Sequence, residues 1–405
     1  MADQSPPTED SNGAADVFVA TYHDTPDRRL ARARVTLSRR LEKGAGLWEA
    51  RIGDEIVTEP GGPASLPDAL AARLTALLRN RDLVEVARLR NGADDVALLE
   101  GQHVLRSFDD LESALREAVS APALARPRRG APAVEHVREY LRAQFDELLR
   151  TDVLIRIGDD AEAVHDFRVA VRRTRSVLRS TRAIFDERWL TALRDELRWL
   201  GGELSALRGS DVLLARLAKE AGPEGAPVVK LLQTDRRRAR KKALVALSSA
   251  RYLELLDRLA DGVESPPVRR SELSLERVAA AEFARLRRVA RRIGPDADDA
   301  DIHRAHIRAK YARYAAELAA PIVGAKARRF IAEAKRFQGV VGAHQDATVA
   351  GERLRGVAER SNSNGTAFVA GRLAERILRK RDRARRKLPA AWRRLDKQGR
   401  ESWRR

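Results

Sequence analysis

The sequence predicts a mainly α protein, a pair of helical bundles preceded by a small α+β unit. Three observations predict it. From residue 134 onward, long Ala/Leu/Arg/Glu segments carry apolar residues at three- and four-residue spacing. Within that stretch two motifs recur at nearly one offset. Before residue 120 the pattern differs, with short alternating runs rich in Val, Thr, Leu and Ile.

The elements follow in order. Residues 1–17 read as a disordered leader, polar and acidic, with no basic and apolar signal segment. Residues 18–57 contain three strand-like pieces, VFVATYHD, ARVTLSRRL and LWEARIGDEIV. A helix begins after Ser65, LPDALAARLTALLRN, with Pro67 near its first turn. The strand-like pieces LVEVARLR and DVALLEGQHVLRS follow, and a helix DDLESALREAV closes a unit spanning 18–120. Residues 121–133, with three prolines, read as a linker. The helical part, 134–400, breaks at Gly158, Gly201-Gly202, Gly222-Pro223, Ser265-Pro266, Gly294-Pro295 and Ser361.

The repeat lies in this helical part. Val164 to Val169, VHDFRV, resembles Ile302 to Ile307, IHRAHI. Arg198 to Arg208 resembles Lys335 to Gln345, at almost the same separation along the chain. A duplicated unit of about 130 residues is too long for a solenoid repeat. It fits two bundles, at about 134–263 and 271–400.

Charge is unevenly placed. The chain carries 78 Lys and Arg against 59 Asp and Glu, a net of +19. Residues 1–125 hold 15 basic and 21 acidic side chains, a net of −6, which leaves +25 for the remainder. A basic part of this kind favours anionic partners: nucleic acid, an anionic membrane or a phosphate polymer. There is no cysteine, so disulfides and thiolate metal sites are excluded. No apolar run reaches the length of about 20 residues that spans a bilayer, so a cytoplasmic protein with no membrane partner is expected. Aromatic residues are 5% of the chain, which leaves few platforms for stacking bases and counts against nucleic acid.

The most informative segment is Val164 to Arg179, VHDFRVAVRRTRSVLR. At 100° per residue, His165, Arg168, Arg172, Arg175 and Arg179 fall within one stripe about 80° wide. Phe167, Ala170, Thr174 and Leu178, with Phe185 beyond, gather on the opposite side. One face packs; the other carries four fixed positive charges and an imidazole. Such a stripe repels itself unless carboxylates or an external anion offset it. Arginine holds its charge and forms forked bonds to phosphate oxygens. A ladder of arginines rising about 5 Å per turn suits a repeating phosphate chain. The alternative is a solvated face with internal ion pairs.

In the second copy, His303, His306, Lys310 and Arg313 occupy the first four stripe positions, and Glu317 stands where Arg179 does. This stripe mixes bases with a carboxylate and is expected to bind less strongly. His303 and His306, three residues apart, could chelate a metal, but there is no HExxH spacing, and no metal or cofactor is expected. Three further basic clusters stand out: Arg236 to Lys242, the shared face of Arg285, Arg288 and Arg292, and Arg379 to Lys387. A solvated face is the simpler account of each.

These segments together, with SSARYLELLDRL and AKRFQGVVGAHQDATVA, resemble the conserved-histidine α-helical domain family, CHAD, over about 134–400. The resemblance implies two four-helix bundles related by a pseudo-twofold axis. It also implies a basic surface that binds inorganic polyphosphate, and association with polyphosphate granules. By resemblance, His165, Arg168, Arg172, Arg175, His303, Lys310 and Arg313 match the family's basic motif. Arg198 with Arg208, and Lys335 in the second half, match its later motif. His306 stands where the second motif usually has Arg, and Tyr311 replaces a basic residue. Gly209 and Ser210 replace an acidic start that the second half keeps as Gln345-Asp346.

The first unit resembles part of the CYTH, or triphosphate tunnel, family, through Tyr22 to Asp27, Val35 to Arg40, Trp48 to Arg51 and Leu83 to Arg88. That family's enzymes need an ExExK strand, and none precedes Tyr22. Without metal-binding carboxylates a phosphoryl-transfer site loses its main charge stabilisation. The unit therefore reads as a degenerate, inactive remnant, with no catalytic residues. The overall expectation is a non-catalytic polyphosphate binder at granules, with polyphosphate-metabolising enzymes as further partners. A tunnel-type triphosphatase with CHAD as its polymer-holding partner, and a non-specific nucleic-acid binder, are the alternatives.

Overall fold

The structure, a computed structural model, describes residues 18–42, 45–62, 65–79, 81–91, 96–100, 103–104, 126–269, 272–294 and 297–403. The expected leader and the expected helix DDLESALREAV lie outside the described residues. The chain divides into two units, with the main boundary after Leu124.

The first unit is a seven-stranded antiparallel sheet in the order β4-β3-β2-β1-β5-β6-β7. Its strands are β1 (Phe18–Asp24), β2 (Val35–Glu42), β3 (Ala45–Ile52), β4 (Glu55–Pro60), β5 (Val84–Asn91), β6 (Val96–Glu100) and β7 (His103–Val104). The β3–β4 hairpin turns through Gly53, whose φ of +60° a side chain would strain. Helices α1 (Arg29–Arg32) and α2 (Asp68–Leu78) complete the unit. Leu30, Leu37, Trp48, Ile52, Leu70, Leu74 and Leu77 are buried and form its core. The buried Asp24 carboxylate accepts from the amides of Thr25, Leu30 and Ala31, which fixes the turn between β1 and α1.

The second unit is helical among its described residues. Its helices are α3 (Ala133–Ile157), α4 (Ala161–Ser180), α5 (Glu187–Glu203), α6 (Ser205–Glu220), α7 (Ala226–Leu247), α8 (Ala250–Glu264), α9 (Leu275–Ala290), α10 (Asp299–Val323), α11 (Ala325–Arg360) and α12 (Asn364–Ser402). The duplication is visible in what they bury. Val137, Leu141 and Leu148 of α3 recur, with their spacing kept, as Leu275, Ala279 and Leu286 of α9. Leu190, Leu193, Leu197 and Leu200 of α5 recur in the same way as Ala327, Phe330, Ala334 and Phe337 of α11. Each half is thus a four-helix bundle; α5 with α6 matches the single α11, and α7 with α8 matches the single α12.

Side-chain caps start most of these helices. Asp160, Asp186, Ser249, Ser274, Asp298 and Ser363 each accept from a first-turn amide. Each such cap stabilises by about 1 kcal/mol. The halves share a core: Leu213, Leu217, Val228 and Leu232 of the first pack with Ala350, Leu354, Leu373 and Ile377 of the second.

Besides Ser248-Ser249 between α7 and α8, two helix breaks lie where the sequence shows no strong breaker. One separates α4 from α5, where Phe185 leaves the helix and is nevertheless buried. The other falls at Leu204, beyond the Gly201-Gly202 position read from sequence. There the Gly201 carbonyl accepts from Arg168 Nη1 at 2.6 Å and from Ser205 Oγ at 3.3 Å.

Candidate anion-binding cavity

Helix α4 has one apolar face because Phe167, Ala170, Val171, Thr174, Val177 and Leu178 are buried. Its other face, and the matching face of α10, meet between the halves. With α6 and α11 they enclose a cavity of about 620 Å³. Seven of the twelve sequence-predicted residues line it: His165, Arg168, Arg172, Arg208, His306, Lys310 and Arg313.

Neighbouring groups hold these side chains in place. Arg168 Nη1 donates to the Gly201 carbonyl and, at 2.8 Å, to Ser205 Oγ. Arg172 Nε donates across the half boundary to Tyr314 Oη at 2.9 Å. Arg208 Nη1 donates to the Ala161 carbonyl at 3.0 Å. Gly209 keeps room for Arg353, since a Cβ there would lie 3.1 Å from its guanidinium carbon.

The sequence reading missed Arg173, Arg353 and Asp346 as lining residues. Arg173 lies off the α4 stripe by angle and comes into reach only because α10 crosses there; it bridges Glu317 at 3.4 Å. Arg353 donates to Ser210 Oγ at 3.2 Å. Its signal was available: Arg216 stands at the equivalent position of the first repeat. Seven Lys and Arg side chains thus surround the cavity, against the carboxylates of Asp166 and Asp346.

Crowding and burial shift the titrations. Burial, then the neighbouring Arg172, pushes Lys310 down to about 7. Burial, then Lys310, pushes His306 down to about 3, so its ring is neutral at physiological pH. Burial, then Arg172 and Arg208, lowers Arg168 to about 10, which leaves it charged. His165 is lowered by burial and Arg208. Asp346 is raised by its burial, against the pull of Arg216 and Lys310. The free cavity is therefore short of negative charge, and an entering anion relieves repulsion among its walls.

The other five predicted residues lie elsewhere. Arg175 is half-buried, with Tyr311, Arg198 and Arg194 near it, and burial lowers its pKa. Arg179 pairs with the buried Glu282 at 3.0 Å and stacks on Tyr311 at 3.9 Å. Arg198 is exposed and bridges Asp195 at 2.7 Å. His303 is exposed, with Nδ1 3.1 Å from Gln345 Oε1. Lys335 is exposed on α11. Glu317, the carboxylate of the second stripe, lies between Arg173 and Arg313. His303 and His306 do not converge, one being exposed and the other buried. Glu162, His165 and Asp166 do converge, with one donor atom each within 4.8 Å of the others. Arg150, 3.9 Å from Asp166, opposes a cation there.

Fold and site define a class, a duplicated helical bundle with a cationic cavity between its halves. Residues 139–355 match the family described as CHAD domain, and the chain belongs to that family. The uncharacterized protein Rv2226 of Mycobacterium tuberculosis is 29% identical over 475 aligned positions, covering 93% of this chain and 90% of that one. The CHAD domain of the plant Ricinus communis, known from a crystal structure, superposes with a TM-score of 0.53 at 26% identity, over 70% of this chain and 95% of that one. PptA from Streptomyces chartreusis shares the fold, with a TM-score of 0.55 at 24% identity, over 65% of this chain and all of that one. The CYTH-like reading of the first unit stays an expectation from sequence.

Proposed function

We propose that the inter-bundle cavity binds inorganic polyphosphate without cleaving it, and that the protein acts at polyphosphate granules. The observation that carries this is the lining: six arginines and the titratable Lys310, drawn from both halves, face one cavity with two carboxylates. Arginine forks match phosphate oxygens in charge and geometry. A ligand with one charge per repeating unit can neutralise many walls at once, which a single small anion does not. Neutral His306 and His165 offer ring nitrogens as hydrogen-bond partners to the same oxygens.

The test is binding of long-chain polyphosphate to the full protein at fixed salt, for wild type and Arg168→Glu/Arg172→Glu. Two lost charge-assisted contacts, at about 1.5–3 kcal/mol each, predict a loss of at least about 100-fold. Unchanged affinity sinks the assignment. Phosphate release on incubation with Mg²⁺ would overturn the non-catalytic part. Duplex DNA outcompeting polyphosphate would replace the ligand class.

A further inference from the structure

A second group of arginines lies apart from the cavity. Arg179 at the end of α4, Arg182 in the 3-10 turn that follows it, Arg285 and Arg288 of α9, and Arg308 of α10 line a separate recess of about 490 Å³. Arg285 and Arg288 belong to the face singled out from sequence; Arg292 of that face turns instead toward Asp301, 3.9 Å away. Five guanidiniums converge, and the carboxylate that meets them is Glu282, fully buried. It engages Arg179 at 3.0 Å and Arg285 at 2.5 Å. Among the described residues, Arg182, Arg288 and Arg308 have no carboxylate within ion-pair distance.

The duplication supplies an internal comparison. In the first repeat, Glu147 stands at the position of Arg285, Arg150 at Arg288, Gln144 at Glu282 and Ala170 at Arg308; in the second, Glu317 stands at the position of Arg179. The equivalent corner is thus neutralised from within, Arg150 pairing with Glu147 at 2.6 Å. The corner at α9 is not. Its surplus charge is a feature of one half and does not follow from the fold. Arg179 ends the same α4 stripe whose Arg168 and Arg172 line the cavity, with Arg175 between. Arg172 and Arg179 are two helical turns apart, about 10 Å along the axis.

We propose that this recess is a second phosphate-binding site, which takes a further segment of the same polyphosphate chain. This rests on the reading of the cavity as a polyphosphate site. A long chain is then held at two points and a short one at one, so the protein selects for chain length. Linking two weak sites through one ligand raises the affinity without any new contact in either.

The variant Arg182→Gln/Arg288→Gln/Arg308→Gln tests it. These three leave Glu282 with both of its partners, so the fold keeps its buried ion pairs. The control removes equal charge from the exposed α12 face, Arg383→Gln/Arg386→Gln/Lys387→Gln. Calorimetry at one salt concentration measures tripolyphosphate and long-chain polyphosphate for each. The expected result is a long-chain loss at least about tenfold beyond the control. The tightest tripolyphosphate event should persist in this variant and vanish in Arg168→Glu/Arg172→Glu. A long-chain loss equal to the control's overturns the second site. So does an equal loss for both ligands. If Arg168→Glu/Arg172→Glu leaves both ligands unaffected, the cavity reading has failed, and two-point attachment falls with it; the silent variant tells the two failures apart.

Discussion

If the cavity binds polyphosphate as proposed, Lys310 makes that binding depend on pH in a calculable way. Burial and Arg172 hold its ammonium at about 7, from an ordinary 10.5. Arg168 and Arg313 add to the depression and Asp346 opposes it. The charged form is thus disfavoured by on the order of 5 kcal/mol. An anion in the cavity restores the proton. The complex therefore has the higher pKa, and binding takes up a proton wherever pH exceeds that of free Lys310. Affinity falls as pH rises above about 7, approaching tenfold per pH unit. With Lys310 restored to its ordinary 10.5 by the anion, the fall between pH 7 and 9 is about 50-fold, or about 2.3 kcal/mol. Proton uptake at pH 8 is about 0.9 per site. Calorimetry in buffers of different ionisation enthalpy reads the uptake directly, and Lys310→Met is the comparison. Long chains keep the ligand's own terminal groups a small share of its charge. A pH-independent affinity in wild type, or the same slope in Lys310→Met, refutes the reasoning. The sign for folding is separate. Between about 7 and 10.5 the unfolded chain holds a proton that the folded chain lacks. Lys310 therefore penalises the fold fully below about 7, and the penalty fades as pH rises.

Three further outcomes are expected. Glu317→Gln, by freeing Arg173 and Arg313, should tighten polyphosphate binding by about 1 kcal/mol, roughly fivefold; an unchanged affinity would show that this carboxylate does not damp the cavity. Tyr252→Phe removes a 2.9 Å bond from its hydroxyl to buried Asp152 and should lower unfolding free energy by about 2 kcal/mol, read as a lower denaturant midpoint. Leu354→Ala, at a fully buried position in the core shared by the halves, should cost about 3 kcal/mol in one cooperative transition of the helical unit; two separated transitions within that unit would mean that its halves unfold independently.

Much of the fold was legible because burial in a helix imposes a period. The α4 stripe could be drawn from spacing, since Phe167, Ala170, Thr174 and Leu178 had to share one side. The duplication was legible because both halves bury the same positions. Breaks without Gly or Pro were not legible: the one at Leu204 coincides with Arg168 donating to the Gly201 carbonyl, a contact between two different helices. Strand-like pieces in the first unit were legible by alternation, whereas the order of the sheet was not.

The sequence alone determined the local terms: two helical halves, their apolar faces, a basic surplus of +25 after residue 125 and the residue types able to hold phosphate. Helical angle places side chains on a face, but it does not say which other face they meet. Tertiary structure decided that His165, Arg168 and Arg172 confront His306, Lys310 and Arg313 across one cavity. It also decided that Arg179, on the same stripe, serves a different recess, and that Arg173, off the stripe, borders the first. The physical reason is the crossing of α4 and α10. Two packed helices diverge away from their crossing point, so a stripe continuous along one helix is divided between two surroundings.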